Sequence, residues 1–199
     1  MSEILENLFG GKERARILRF FLQNPEKEFK LADIYTKNLL DKKKTKKETD
    51  NLIKIKFIVK RKRKGRVFYV LNQSFNYYPE LKNLIAKSNI YPQCKSLGKI
   101  KSVGDIKYAG ISGTFINYVK GKADLILVGE DISRGKLKNL INNLEAEIGK
   151  EISFVLMSSE EMKYRLNMLD KFLLEFFEGP HEEIVNKMPG LKQFIANRK

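Results

Sequence analysis

Thirteen of the residues between 42 and 66 are lysine or arginine, and only Glu48 and Asp50 oppose them. Ordinary surface lysines are interspersed with glutamates. These are not, so the chemistry on offer is neutralisation of a polyanion. Lysines contact phosphates, which sets affinity and register without reading sequence. Base reading favours Arg, Asn and Gln as two-pronged partners. The helical part of this stretch offers mainly Lys and Thr, with Asn51 near its end, so tight binding is better supported than strong selectivity. A second group, Ser112-Gly113-Thr114 followed by Lys122 and Asp124, offers backbone amides and an ammonium to an anion such as a nucleotide effector. The plainer reading of that stretch, a loop joining a strand to a short helix, is preferred. Cys94 beside Lys95 is a thiol that a basic neighbour can activate, and a plain free thiol accounts for it more simply. His181 has no Ser, Cys or Asp partner in the sequence, so no catalytic residue is assigned. One cysteine and one histidine are too few for a structural zinc site; no metal and no cofactor are expected.

The charge is uneven. The chain has 199 residues and a formal net charge of +15; residues 1–100 carry 24 basic and 10 acidic side chains, residues 101–199 carry 15 and 14. One half is built to meet a polyanion and the other for something else. With 42% hydrophobic residues, 13 Phe and 8 Tyr there is material for a core, which excludes disorder for most of the chain. No stretch approaches eighteen consecutive apolar residues, and no basic segment followed by an apolar run opens the chain. A cytoplasmic protein without a membrane partner is expected. A single cysteine excludes an internal disulfide.

Elements must position these groups. Ala15, Ile17, Leu18, Phe21 and Leu22 have helical spacing over 12–23, and Asn24-Pro25 ends that helix. Phe29, Leu31, Ile34 and Tyr35 suggest a shorter helix to about residue 39. Asp41 caps a third over 43–55, with Leu52 and Ile55 inward. Residues 57–59 and 67–71 read as the strands of a hairpin, with 62–66 as its turn and Gly65 free to take positive φ. A further helix covers 78–87, and 88–102 reads as a linker. Beyond it, strands are predicted at 106–111, 123–128 and 152–157, and helices at 114–119, 133–148, 158–169 and 171–177. The run A-D-L-I-L-V (123–128) suits a strand covered on both faces. Strand, long amphipathic helix and strand in that order imply a small α/β domain. The tail after Pro189-Gly190 is expected to form a short helix.

Three helices and a basic hairpin, with the words R-A-R-I-L-R-F-F-L (14–22), F-K-L-A-D-I (29–34) and N-L-I-K-I-K-F-I-V-K-R (51–61), resemble the winged-helix transcriptional regulators, in particular the arsenical-repressor-like group, over roughly residues 8–75. The resemblance implies that the third helix enters the DNA major groove and that the hairpin, or wing, lies along the backbone. It implies exposed Lys43, Lys44, Lys46, Lys47 and Thr49 on or near the recognition helix, and a wing tip of Arg61, Lys62, Arg63, Lys64 and Arg66. Two departures stand out: Lys56 sits where such regulators usually have glycine, and Thr45 and Thr49 stand where apolar inner residues are commoner.

The word K-Y-A-G-I-S-G-T-F…G-K-A-D-L-I-L-V-G (107–129) resembles the minimal polymerase-β-like nucleotidyltransferases, whose motif is Gly-Ser after one strand and then Asp-x-Asp, the carboxylates of which bind two Mg²⁺ ions. Gly110 and Asp124 keep the expected separation. The Ser position is Ile111, the first Asp position is Lys122, and the strand at 152–157 has no acid. The resemblance therefore implies a transferase shape without its chemistry, with Asp124 a structural residue at a strand start. The stretch L-K-N-L-I-N-N-L-E-A-E-I-G-K-E-I-S-F (137–154) resembles prokaryotic proteins that join a winged helix to such a domain.

These readings converge on a two-domain α+β and α/β chain: an N-terminal winged helix-turn-helix domain (1–75), a connecting helix and linker (76–102), and a C-terminal small α/β nucleotidyltransferase-like domain (103–199), inactive as an enzyme. The expected function is transcriptional regulation by binding double-stranded DNA, with the second domain serving sensing, dimerisation or partner binding. A homodimer and a small-molecule or nucleotide effector are compatible with it. The alternatives are an active nucleotidyltransferase with an atypical site around Asp124, and an RNA-binding protein, although RNA modules usually expose stacking aromatics and those here sit at core spacing.

Overall fold

In the computed structural model, residues 2–87, 94–188 and 190–191 are described. The chain divides into one unit of Met1–Cys94 with Asn142–Glu151, and another of Lys95–Ile141 with Ile152–Lys199.

The first unit is built on helix α2 (Lys12–Gln23), which is preceded by α1 (Ser2–Leu8), a helix the sequence reading did not anticipate. The apolar stripe of α2 buries Ile17, Leu18 and Phe21 against Ile34, Leu52, Phe57 and Ile58. Phe20, Phe21 and Phe29 pack ring to ring with centroids 4.4–5.9 Å apart, and each such buried side chain contributes roughly 1.5–3 kcal/mol. Asn24 closes α2: its Nδ2 donates to Phe20 O at 2.8 Å and to Gly149 O at 2.7 Å. Next come α3 (Leu31–Lys37) and α4 (Lys42–Lys54), which Asp41 caps by accepting the Lys44 amide at 2.9 Å. That bond holds the Asp41 carboxyl below its ordinary range. The cap is thus complete above that range and is lost as pH falls through the lowered value.

Strands β1 (Ile58–Arg63) and β2 (Arg66–Leu71) pair antiparallel, with Arg63 opposite Arg66. The turn needs only Lys64 and Gly65, at φ 47° and 75°, the positive pair of a type I′ hairpin. The strands therefore run further into the basic segment than the predicted turn at 62–66 allowed. Lys56, between α4 and β1, has φ 61°; the joint demands the left-handed conformation that glycine adopts freely and a lysine adopts at about 1 kcal/mol. Phe29 bridges Tyr69 through two backbone bonds of 3.0 and 2.7 Å, so β2 has a neighbour on each side. Helix α5 (Tyr78–Lys87) completes the unit with Ile85 inward.

The second unit opens with a 3₁₀ helix (Lys95–Ser102) that buries Ser96, Leu97 and Ile100. The expected linker is here packed structure, because Leu97 and Ile100 are three apart and a 3₁₀ turn stacks such residues on one side. The earlier part of that linker, 88–93, lies outside the described residues. Strand β3 (Asp105–Ile111) pairs antiparallel with β4 (Leu125–Glu130), and β4 pairs parallel with β5 (Phe154–Met157) after the crossover helix α6 (Arg134–Ile148). The sheet order is β5-β4-β3-β6. Leu125 to Val128 are each 0% exposed, as a strand covered on both faces requires. Helix α7 (Ser159–Asn167) is capped by Ser158 and α8 (Lys171–Glu178) by Asp170. They seal one face with Met162, Leu166, Leu173 and Phe176 over Ile126 and Val128. Strand β6 (Glu182–Asn186) pairs antiparallel with β3 and was not anticipated. The tail beyond residue 191 lies outside the described residues. The protein is thus mixed α+β, with a two-stranded and a four-stranded sheet among the described residues. No helix among them is long and apolar enough to cross a membrane.

Candidate nucleic-acid interface

Helix α4 buries one stripe, Thr45, Thr49 and Leu52, so its lysines face outward. Lys43, Lys44, Lys46 and Lys47 are all exposed. Lys44 reaches Glu13 at 3.3 Å; Lys43, Lys46 and Lys47 make no ion pair among the described residues. Thr49, expected at the surface, is 1% exposed and is removed from the interface. At four residues from Thr45 it shares the inner face of the helix. Neither hydroxyl has a hydrogen-bond partner among the described residues. Burying an unsatisfied hydroxyl is unfavourable, so Thr49→Val should raise stability by about 1 kcal/mol and leave DNA affinity unchanged. Thermal unfolding and a binding titration on the same sample check both halves.

The hairpin sorts its cations onto two faces. Antiparallel partners share a face, so the register places Arg61, Arg63, Arg66 and Phe68 on one side and Lys60, Lys62, Val67 and Tyr69 on the other. Lys60 lies 5.9 Å from the Tyr69 ring centre. Glu28, next to the Phe29 bridge, accepts from Arg61 Nη1 at 3.2 Å and faces Arg63 Nη2 at 3.2 Å. One carboxylate thus orients both arginines. Lys62, Lys64 and Arg66 are exposed and make no ion pair among the described residues. The role of Glu28 was not legible in the sequence, because nothing there announces that Phe29 pairs with Tyr69. Glu28→Gln removes a negative charge beside the cations and releases both guanidinium groups. Coulomb attraction across screened water makes this worth roughly a threefold gain in DNA affinity at low salt, measurable by anisotropy titration.

In the second unit the group around Asp124 is engaged within the chain. The Thr114 amide donates to Asp124 Oδ1 at 2.6 Å, and the Ser153 amide and hydroxyl donate to Oδ2 at 2.7 and 3.0 Å. Ser112, 2% exposed, gives its hydroxyl to Pro180 O at 2.6 Å. Gly113 takes φ 53° against the Asp124 carboxylate, where a Cβ would collide. Lys122 is 3.8 Å from Glu175. Ser112, Gly113, Thr114 and Asp124 are therefore brought together as a clamp between the end of β3, the start of β4 and the residue before β5. Among the described residues no three His, Cys, Asp or Glu side chains gather as a metal site.

The two remaining chemical candidates are built into the packing. Cys94 is buried, with its thiol donating to Glu147 Oε2 at 2.8 Å. His181 lies against Phe176 and Phe177, with centroids 5.5 and 5.7 Å away. No protein-family model matches the chain, and no curated protein and no solved structure does either.

Proposed function

We propose that the protein is a DNA-binding transcriptional regulator whose first unit works as a winged helix, with α4 as recognition helix and the β1–β2 hairpin as wing. The observation that carries this reading is a set of exposed cations on consecutive elements, Lys43, Lys46 and Lys47 on α4 and Lys62, Lys64 and Arg66 on the hairpin, with no ion pair among the described residues. Neighbouring carboxylates would satisfy such cations in an ordinary solvated face; these await an external anion. Phosphate contact dominates, since lysines do not read bases. The second unit is proposed as a nucleotidyltransferase-like domain used for sensing or association, because the Asp124 carboxylate is occupied by the amides of Thr114 and Ser153.

The test is anisotropy binding to random duplex DNA, single strands and duplex RNA across a salt series. Preference for duplex DNA, with log K falling by about 0.9 per neutralised phosphate for each decade of salt, supports the reading. Equal or tighter binding to RNA, or no binding at low salt, defeats it.

A further inference from the structure

The first unit holds a cavity of about 270 Å³ beside the last turns of α4. The rings of Phe9, Phe57 and Phe75 line it, with Leu18 of α2 and Leu52 of α4. Only two polar side chains reach it, Arg14 and Asn51. Arg14 gives its Nε to Glu48 at 2.8 Å and makes no other hydrogen bond among the described residues; the Asn51 carboxamide makes none. We propose that this cavity is a binding site for a small molecule with an apolar body and one anionic head.

Size, lining and charge each bear on the proposal. An apolar cavity of about 150 Å³ takes benzene, so 270 Å³ holds a two-ring aromatic or a medium-length alkyl chain. The cavity opens to solvent past Ile55, which was expected to face inward and is exposed. The terminal nitrogens of Arg14 form a planar fork that suits a carboxylate or sulfonate, and the Asn51 amide adds a donor. The excess of basic residues over residues 1–100 favours an anion over a cation.

Asn51 and Leu52 belong to the last turns of α4, so a ligand here bears on the helix that carries the exposed lysines. That step, an effect on DNA affinity, rests on the regulator reading. The site itself does not, and its test uses no nucleic acid.

The full chain is titrated with 8-anilino-1-naphthalenesulfonate and the fluorescence followed. The expected result is one saturable site, displaced by octanoate at least tenfold more effectively than by octanol. Asn51→Asp, which sets a negative charge at the polar end, should weaken dye binding at least fivefold with the melting temperature unchanged; Arg14→Gln should weaken it as much, at a lower melting temperature because it also gives up the Glu48 ion pair. Leu81→Trp, at the half-buried lip, should block the dye. Unaltered affinity in Asn51→Asp overturns the proposal, as does equal displacement by octanol. Sedimentation showing that the dye is excluded by a second copy covering the cavity also overturns it. If Leu81→Trp or Arg14→Gln fails to fold, Asn51→Asp still decides.

Discussion

Replacing Arg61, Lys62, Arg63 and Lys64 together by alanine is expected to lower the affinity for duplex DNA about 10³-fold at ~0.1 M salt. The size follows from counterion release. Each neutralised phosphate adds about 0.9 to the slope of log K against log salt. Four lost contacts therefore flatten the slope by about 3.6 and remove three to four decades at ~0.1 M. The loss is not shared equally. Glu28 already sits against both Arg61 and Arg63, so part of their charge is spent inside the protein. Lys62 and Lys64 have no such partner among the described residues, and the double variant of these two should account for more than half of the loss. The hairpin fold should survive, because all four side chains are exposed and the Lys64 position has no packing to lose. An unchanged salt slope in the quadruple variant would remove the hairpin from the interface.

Asp124→Ala is expected to destabilise the second unit by about 2–3 kcal/mol, because it strands the Thr114 and Ser153 amides that the carboxylate now accepts. The effect is a local one, joining the residues after β3 to those before β5. Hydrogen exchange at the Thr114 and Ser153 amides should accelerate by about 10², the factor that this free energy implies. The same variant separates a structural acid from a chemical one. If exchange and stability are unchanged while transfer of label from a nucleoside triphosphate is lost, Asp124 is catalytic and the clamp reading fails. If exchange accelerates and no transfer is seen in either protein, the alternative of an active transferase is gone.

The first unit was legible in the sequence where local chemistry decides the backbone. Asp41 stands three residues before an amide it can accept, so α4 begins there. Gly65 tolerates positive φ and marked where the hairpin turns, although the five residues expected for the turn reduce to Lys64 and Gly65. The same holds for Ser158 and Asp170 ahead of α7 and α8. What was missed depends on distant pairing. Strand β6 carries only Ile184 and Val185 as apolar residues and gains its form from β3. Helix α1, with Ile4, Leu5 and Leu8 in seven residues, is too short for its spacing to announce a helix and packs against α2. Thr49 was expected at the surface from the winged-helix resemblance, although the same comparison set it and Thr45 where apolar inner residues are commoner; the spacing from Thr45 and Leu52 was the better guide. The exposed lysines and arginines were readable, since long cationic side chains are almost never buried unpaired. Their sorting onto two hairpin faces, and the hold of Glu28 on one of them, required the register.

The first unit takes its last ten residues, Asn142–Glu151, from far along the chain. Gly149 O there accepts Asn24 Nδ2 at 2.7 Å, and Glu147 O accepts Arg19 Nη1. During synthesis these acceptors do not yet exist when Cys94 is joined. At roughly 5–20 residues per second the ribosome needs about 3–12 s to supply them. For that interval the Arg19 guanidinium and one hydrogen of the Asn24 carboxamide, whose other contact is Phe20 O in the same helix, lack the acceptors they use in the finished protein, so the N-terminal unit reaches its final form only late in translation. A chain released after Cys94 would remain in that unfinished state, open to proteases and to chaperones.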